Sequence, residues 1–497
     1  MLYKRNRKQL LSKITYVFVL IIITAGCASN LSQKIKTEIP ESPSQSWIPG
    51  PGMEKQKDII QPAPDIPPEF LKKKNKWSLI DLIDLALRNN PQTRATWYAA
   101  RSAAAQYGSQ QGNYYPDVTF DFSALKSQGS AVAGRFNYSQ VSYTPALSLN
   151  FLIYDFGGRE SAIEEYRQGL LSANWTHNAM VQNVMLQVET AYYNYLYAKA
   201  LAQALEVSVQ QAQTNFDAAE QRHKAGLATI ADVLQAKTAL SQAQLSLDTV
   251  KGQIMTMRGA LANSVGLPAD VEYDIEEALP EDIPVDKVGL QVTQLIEKAK
   301  EKRPDLASSR AQFFKSEAHV KTVKAKGLPA ITAGGNVSRI YYDNNPVRTN
   351  NYQATLLFRV PIFTGFSQTY DEMQARADAD NKKAQLASME SSVVLQVWTD
   401  YYNLKTAEQT VKTSKDLLNS AQQSYDVALG RYKAGVGSIL DLLSAQNSLV
   451  NARASSVQAR ADWFLSITQL AHDIGWLGLE STLSGNTGAV SEQKGGK

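Results

Sequence analysis

The sequence has few of the residues from which most active sites and disulfide-bonded folds are built. Among 497 residues there is one cysteine, Cys27, so no disulfide framework can form within the chain. The four histidines are His177, His223, His319 and His472, and none is spaced as a metal-binding pair on a helix. Phosphate loops, dinucleotide fingerprints, GxSxG elbows and HExxH motifs are also missing. We therefore expect no enzyme activity, no resident metal and no cofactor.

Charge of one sign and long apolar runs are scarce as well. The formal net charge is only +4, which gives no basic field for nucleic acid, so no nucleic-acid partner is predicted. After the N-terminal region there is no apolar run of about 18 residues, the length that a transmembrane helix needs. If the mature chain meets a membrane, it does so by other means than a spanning helix.

The N-terminus has the features of an export signal. Basic residues precede the apolar run at 14–25, which is too short to span a bilayer comfortably. TAGC follows and ends at Cys27, and it resembles a bacterial lipobox. We expect residues 1–26 to be a signal peptide and Cys27 to be acylated, with Ala28 implying sorting to the outer membrane. An ordinary secretory signal with an incidental cysteine is the alternative. Residues 27–76 are expected to form an extended tether, since eight of the 18 prolines lie there.

From Trp77 the chain repeats itself. LIDLALRNNP (82–91) corresponds to LIEKAKEKRP (295–304), and LQVETAYYN (186–194) corresponds to LQVWTDYYN (395–403). The matching segments, which include IYDFGG with VPIFTG and two KAG turns, keep separations of 207–213 residues. An internal duplication is therefore predicted. Its parts are a first repeat at 77–275, a second repeat at 276–475 and a partly disordered C-terminal tail at 476–497.

Within each repeat the hydrophobic period changes in the same order. Alternation of apolar and polar residues predicts two strands, and a long stretch without proline then predicts a helix. A turn and a return helix with a coiled-coil seam follow. In the first repeat we expect a helix, strands at about 117–125 and 145–155, a long helix at 159–222 and a tip turn at 223–228. In the second we expect a helix, strands at about 330–340 and 352–362, a long helix at 366–430 and a tip turn at 431–437.

Four strands are too few to close a barrel in a membrane, where the smallest barrels have about eight. An open sheet would leave unpaired edges in lipid, where no water can satisfy them. If the strands lie in a membrane, the pattern therefore requires several copies of the chain. A soluble four-stranded sheet on a long coiled coil is the alternative.

The lipobox, the duplicated helix, strand and helix order, the IYDFGG and VPIFTG turns and the paired RxKAG turns together resemble TolC/OprM-type outer-membrane efflux proteins. The resemblance implies an α+β membrane protein, a homotrimer whose four strands per chain make a 12-stranded antiparallel β-barrel in outer-membrane lipid. A periplasmic α-helical barrel continues it. The implied function is the exit channel of a tripartite efflux system, opened by a periplasmic adaptor and an inner-membrane pump. The outer-membrane component of a type I protein secretion system and a non-channel periplasmic coiled-coil lipoprotein remain alternatives.

The resemblance also assigns residues. The adaptor-docking tip would consist of two turns, whose residues are Ala225, Gly226, Leu227, Ala434, Gly435 and Val436. Asp232 and Tyr432 match a family pair whose hydrogen bond holds the tip shut, and Asp441 lies where a constriction carboxylate would form an acidic ring.

Further residues are expected to serve the turns and the helix ends. Gly157, Gly158 and Gly365 are expected in the strand-to-helix turns. Arg222 and Arg431 are expected to interact with the last turns of their own helices, where a cation opposes the helix dipole.

Overall fold

The computed structural model describes residues 76–131, 135–275, 278–280, 283, 291–343 and 345–477. These residues belong to one compact unit. The predicted signal peptide, Cys27, the tether up to residue 75 and the tail from residue 478 lie outside the described residues.

The first half of the described chain runs from a short strand to a long helical hairpin. Its elements are β1 (Lys76–Trp77), α1 (Leu79–Asn89), α2 (Pro91–Gln111), β2 (Asp117–Ala131), β3 (Phe136–Tyr154), α3 (Gly158–Lys224) and α4 (Ile230–Val265). A capping box begins α1, since the Ser78 hydroxyl accepts from the Asp81 amide at 3.3 Å and the Asp81 carboxylate accepts from the Ser78 amide at 3.1 Å.

The second half has the same order of elements. They are β4 (Asp274–Ile275), α5 (Val292–Lys302), α6 (Pro304–Lys326), β5 (Ala330–Tyr342), β6 (Asn345–Arg359), α7 (Ser367–Lys433) and α8 (Ile439–Asp473). The long helices α3 and α7 each contain 67 residues, so each is about 100 Å long at ~1.5 Å per residue.

The structure corrects several predicted boundaries. The helix expected before each pair of strands is two helices, because Asn90 and Arg303 are extended and each precedes a proline that begins the next helix. The strands extend further into the hairpin ends than predicted, and the long helices extend to Lys224 and Lys433. Strand β6 ends at Arg359, earlier than expected, just before Pro361, which has no amide to donate to a ladder.

The four long strands form one antiparallel sheet in the order β2-β3-β5-β6. Pairing of β3 with β5 joins the two halves of the chain and leaves β2 and β6 at the edges. One row of paired residues across the sheet is apolar and consists of Phe120, Leu147, Val337 and Tyr352. The adjacent row is polar and consists of Thr119, Ser148, Asn336 and Gln353. Because side chains alternate along a strand, the sheet has one apolar face and one polar face.

The helices form a layer in which, as in the sheet, the two halves of the chain lie side by side. Helix α3 packs against α2 and α4 and also against α6 and α8, and α7 packs against α6 and α8. The chain of contacts therefore ends with α2 and α4 at one edge and α7 at the other. None of the helices in the described part of the chain is both long enough and apolar enough to cross a bilayer.

Candidate functional site

The first helix-to-helix turn closes the hairpin of α3 and α4. Gly226 adopts φ 74°, and its amide donates to the His223 carbonyl at 2.9 Å, while the Leu227 amide donates to the Arg222 carbonyl at 2.8 Å. This is the hydrogen-bond pattern of a Schellman helix end, which favours glycine because left-handed backbone crowds a Cβ. Thr229 then caps α4, so the chain reverses within five residues, 225–229.

The second turn closes the hairpin of α7 and α8 in the same way. Gly435 adopts φ 82°, and the Val436 amide donates to the Arg431 carbonyl at 3.0 Å. Gly437 has an additional packing requirement, since a Cβ there would lie 3.0 Å from Arg431 Cβ and 3.1 Å from the Arg431 carbonyl carbon. Ser438 caps α8. Both predicted KAG turns are thus helix ends with a left-handed glycine.

The apolar residue after each glycine points away from its own helix. In a Schellman end this residue commonly packs back on the last turn. Here Leu227 is 69% exposed and Val436 is 70% exposed. Each turn therefore presents one large apolar side chain to its surroundings.

Arg222 connects the two turns. Its Nη1 donates to the Tyr432 carbonyl at 2.6 Å, and its guanidinium carbon lies 4.9 Å from the centroid of the Tyr432 ring. This corrects the expectation that Arg222 serves its own helix, because the carbonyl it caps belongs to the last turn of α7. Arg431, at the equivalent position of the second turn, makes no side-chain hydrogen bond or ion pair within the described residues. The two matched sequences gave no sign of this difference, since both contain RxKAG.

Tyr432 and Asp232 are near the turns but do not form the predicted hydrogen bond within the chain. The Tyr432 ring is 3% exposed, and within the described structure its hydroxyl has no hydrogen-bond partner. Burial raises the pKa of this phenol, so it stays neutral at physiological pH. Asp232 instead completes a capping box, since its carboxylate accepts from the Thr229 amide at 2.8 Å. This hydrogen bond holds the Asp232 carboxylate at the N-terminus of α4.

Asp441 has the same local role in the second turn. Its carboxylate accepts from the Ser438 amide at 3.4 Å, and its own amide donates to the Ser438 hydroxyl at 3.1 Å. The side chain is exposed. It borders a groove of about 350 Å³ between α7 and α8, which also includes Arg431 and Gly437.

The strand-to-helix turns differ from the prediction at one glycine. Gly157 and Gly365 have positive φ, and so do the aromatic residues beside them, Phe156 and Phe366. Gly158 is the first residue of α3, not part of the turn. Its lack of a side chain serves packing, since a Cβ there would lie 3.1 Å from Ala325 Cβ. The structurally equivalent pairs are therefore 156–157 and 365–366.

Comparison with known proteins assigns the class. The chain has the fold of outer-membrane channels: VceC from Vibrio cholerae superposes with a TM-score of 0.70 at 19% identity, covering 80% of this chain and 96% of VceC. The family model described as outer membrane efflux protein matches residues 82–267 and 295–475. This chain belongs to the outer membrane efflux protein family, as the sequence motifs predicted.

Curated relatives share most of the chain. Protein CyaE of Bordetella pertussis is 27% identical over 415 residues, covering 82% of this chain and 86% of the relative. A probable efflux pump outer membrane protein, TtgC of Pseudomonas putida, is 23% identical over 424 residues, covering 84% and 86%. The family is one of outer-membrane channels of Gram-negative bacteria, which are not enzymes. The predicted outer-membrane location is confirmed.

Proposed function

We propose that three copies of this chain form one exit duct across the outer membrane and periplasm. Twelve strands, four from each chain, close an antiparallel barrel, and the helices continue it as a tunnel wall built from an internal duplication. The duct serves a tripartite efflux system and opens at its periplasmic end when an adaptor and pump engage it.

The observation that supports this proposal is that the edge strands of the sheet are connected in sequence to the edge helices of the helical layer. Strand β2 follows α2 after a short 3-10 helix, Gly112–Tyr114, and β6 leads into α7, so each open edge of the sheet continues into an open edge of the helical layer. These edge helices also expose large apolar side chains. Leu245 on α4 is 61% exposed and Leu395 on α7 is 65% exposed. Identical copies placed side by side would cover both edges at once.

The two faces of the sheet fit a barrel around an aqueous lumen. Transmembrane barrels place apolar residues toward lipid and polar residues toward a water-filled interior. They also carry aromatic residues at the membrane interfaces. Exposed aromatic residues cluster where this sheet meets the helices, and they are Tyr114, Tyr115, Tyr154, Phe156, Phe363 and Phe366.

Cysteine cross-linking tests the assembly. A cysteine at Thr119 on β2, combined in turn with cysteines along 349–357 on β6, should give disulfide-linked trimers at one register. The control is Thr119→Cys with Ser148→Cys, because these positions pair within one sheet and should link only within a chain. Absence of disulfide-linked trimers from every β2–β6 combination, with the control pair still linking within the chain, would reject edge-to-edge closure.

The two turns are proposed as the adaptor-docking tip. Ala225, Gly226 and Leu227 form one part, and Ala434, Gly435 and Val436 form the other. The support is the exposed apolar side chain on each turn, since removing such a side chain from water in an interface favours association. The partner would be a helical hairpin of a periplasmic adaptor, held between these turns.

Leu227→Asp and Val436→Asp test this docking. Each should abolish drug resistance in a strain that depends on this chain while leaving conductance in planar bilayers intact. Leu440→Asp, an equally exposed position on α8 outside the turns, is the control (61% exposed). Loss of resistance in the control as well would argue against docking at the turns.

The gate is also a proposal. Asp441 would form an acidic ring from three copies, favouring cations at the narrowest point. The Asp232 and Tyr432 pair remains a candidate latch between neighbouring coils, and Arg222 provides a further contact between the two turns. In bilayers, Asp441→Asn should reduce cation selectivity. If Tyr432→Phe combined with Asp232→Ala leaves conductance unchanged, this pair is not the latch.

The efflux role is proposed from TtgC, a probable efflux pump outer membrane protein that is 23% identical over 84% of this chain, whereas CyaE, at 27% identity, has no efflux function in its name. Deletion of the gene should increase sensitivity to small toxic compounds. Unchanged sensitivity together with loss of a secreted protein would favour the secretion alternative.

A further inference from the structure

Charged residues are distributed unequally between the two faces of the four-stranded sheet. Alternation and register place three of them on the apolar face, the face of Val337, and they are Lys126, Arg339 and Arg348. The polar face holds the other charged residues of the described strands in this sheet, which are Asp117, Asp121 and Arg359. Within these strands the apolar face therefore carries positive charge and no carboxylate.

Two of these cations share one aromatic ring. The guanidinium carbon of Arg339 lies 5.4 Å from the centroid of the Tyr341 ring, and that of Arg348 lies 5.7 Å from the same centroid. Both arginines are exposed, and neither forms an ion pair or a side-chain hydrogen bond within the described part of the chain. Asp343, at the end of this hairpin, is exposed and forms no ion pair with them among the described contacts. The N–H groups of both guanidiniums are therefore available to a ligand.

The shared ring lies at the end of the apolar face that is remote from the helices. On β5 this face begins at Ile331, just after α6, and Tyr341 is ten residues further along the strand. At ~3.3 Å per residue this separation is about 33 Å along the strand, or about 25 Å along the barrel axis at a tilt of ~40°. The lipid-facing band of a transmembrane barrel is about 25 Å tall. In the proposed duct, Tyr341 and its two arginines therefore lie at the level of the outer-leaflet headgroups.

The described contacts of the chain do not balance the charge of this arginine pair. A cation–π contact attracts each guanidinium to the Tyr341 ring, but it does not reduce the repulsion between the two cations. An anion beside the ring would remove that repulsion. Phosphate suits the site, because its oxygens accept N–H bonds from the planar forks of more than one guanidinium. Lipid headgroups bring phosphate to this level of the barrel, so the site and its ligand would meet in the membrane.

We propose that Arg339, Arg348 and Tyr341 form a binding site for the phosphate group of an anionic lipid in the outer leaflet. The two guanidiniums donate to the phosphate oxygens, and the Tyr341 ring holds them beside each other. Lys126 lies on the same face, one row further from the helices, and its positive charge attracts the same class of headgroup. The placement of the site in the outer leaflet rests on the duct proposed above.

Native mass spectrometry of the purified full chain in detergent tests this site. The probe is a diphosphorylated glycolipid of the lipid A class, and the same lipid without its phosphates is the comparison. The wild type should bind the phosphorylated form about 10-fold more tightly or better, and Arg339→Gln combined with Arg348→Gln should lose this preference. Arg359→Gln is the matched control, since it removes an exposed arginine from the polar face of the same strand as Arg348. It should keep the wild-type preference.

Three results would overturn the phosphate site. They are equal binding of the two lipid forms by the wild type, an equal loss of preference in Arg359→Gln and in the double variant, and displacement of the lipid by inorganic phosphate at the same concentration. The last result would mean that the site binds a free anion and not a lipid. Cross-linking of β2 to β6 in the same preparations reports on the duct separately. Trimers without lipid preference would reject only the phosphate site, and lipid preference without trimers would reject only the duct.

Discussion

The contact of Arg222 with Tyr432 makes a quantitative prediction about the second turn. Replacing Arg222 by alanine removes a charged hydrogen bond of 2.6 Å and a cation–π contact of 4.9 Å. A hydrogen bond to a charged group contributes about 1.5–3 kcal/mol, and an exposed cation–π pair about 0.5–1 kcal/mol. Because Arg222 is only half-buried, the lower values apply, and they give about 2 kcal/mol in total.

That energy corresponds to a roughly 30-fold increase in the opening equilibrium of the second turn. Hydrogen exchange of a peptide covering residues 428–440 measures it, because the Gly435 and Val436 amides are hydrogen-bonded only while the turn is closed. Arg222→Ala should therefore accelerate exchange in this peptide about 30-fold under conditions where exchange follows opening.

Arg431→Ala is the matched control. It removes the arginine at the same place in the other long helix and loses a similar helix-dipole interaction, which is worth about 0.3–1 kcal/mol. It does not remove a contact between the turns. Equal acceleration by the two variants would refute the reasoning, since it would mean that the dipole interaction, and not the link to Tyr432, stabilises the turn.

Three further predictions concern the turns, the core and the N-terminus. Gly226→Ala should destabilise the first turn by about 1–2 kcal/mol because φ is 74°, whereas Gly252→Ala, in the interior of α4 with open space around its Cβ, should stabilise by about 1 kcal/mol. Leu449→Ala, fully buried, should cost about 2–5 kcal/mol in denaturant unfolding, and Leu440→Ala, largely exposed, should change stability by less than about 0.5 kcal/mol. Cys27→Ala should abolish acylation, detected by intact-protein mass spectrometry; an unchanged mass increment would exclude Cys27 as the acylated residue.

Periodicity made the long elements predictable from sequence. Long stretches without proline and with recurring small apolar residues specify helices such as α3 and α7, and strict alternation specifies strands such as β6. The KAG motif predicts the position of each turn to within three residues, because glycine is the residue that ends a helix in left-handed backbone.

The turns between strands and helices were less predictable. Matching IYDFGG to VPIFTG paired Gly158 with Gly365, whereas the structure pairs Phe156 with Gly365 and Gly157 with Phe366. A phenylalanine in left-handed backbone carries no local signal, because only the surrounding structure compensates its steric cost.

Contacts between distant parts of the chain were beyond the sequence pattern. Arg222 and Tyr432 are 210 residues apart, and Asn215 donates to Gln446, 231 residues away, at 2.7 Å. Each of these residues has an ordinary local context, so neither periodicity nor motif spacing distinguishes it. Their roles follow from burial and from the groups around them.

The open edges of the sheet make a single copy of the chain prone to aggregation before the proposed assembly. Strands β2 and β6 are 15 residues each and carry unpaired backbone groups beside large apolar side chains. Such edges pair readily with any extended segment, so a lone copy in water is prone to aggregation. Covering these edges requires association of several copies, and the rate of association depends on the concentration of the chain. Synthesis rate and chaperone supply, more than the stability of one folded copy, would then set the yield of correctly assembled protein.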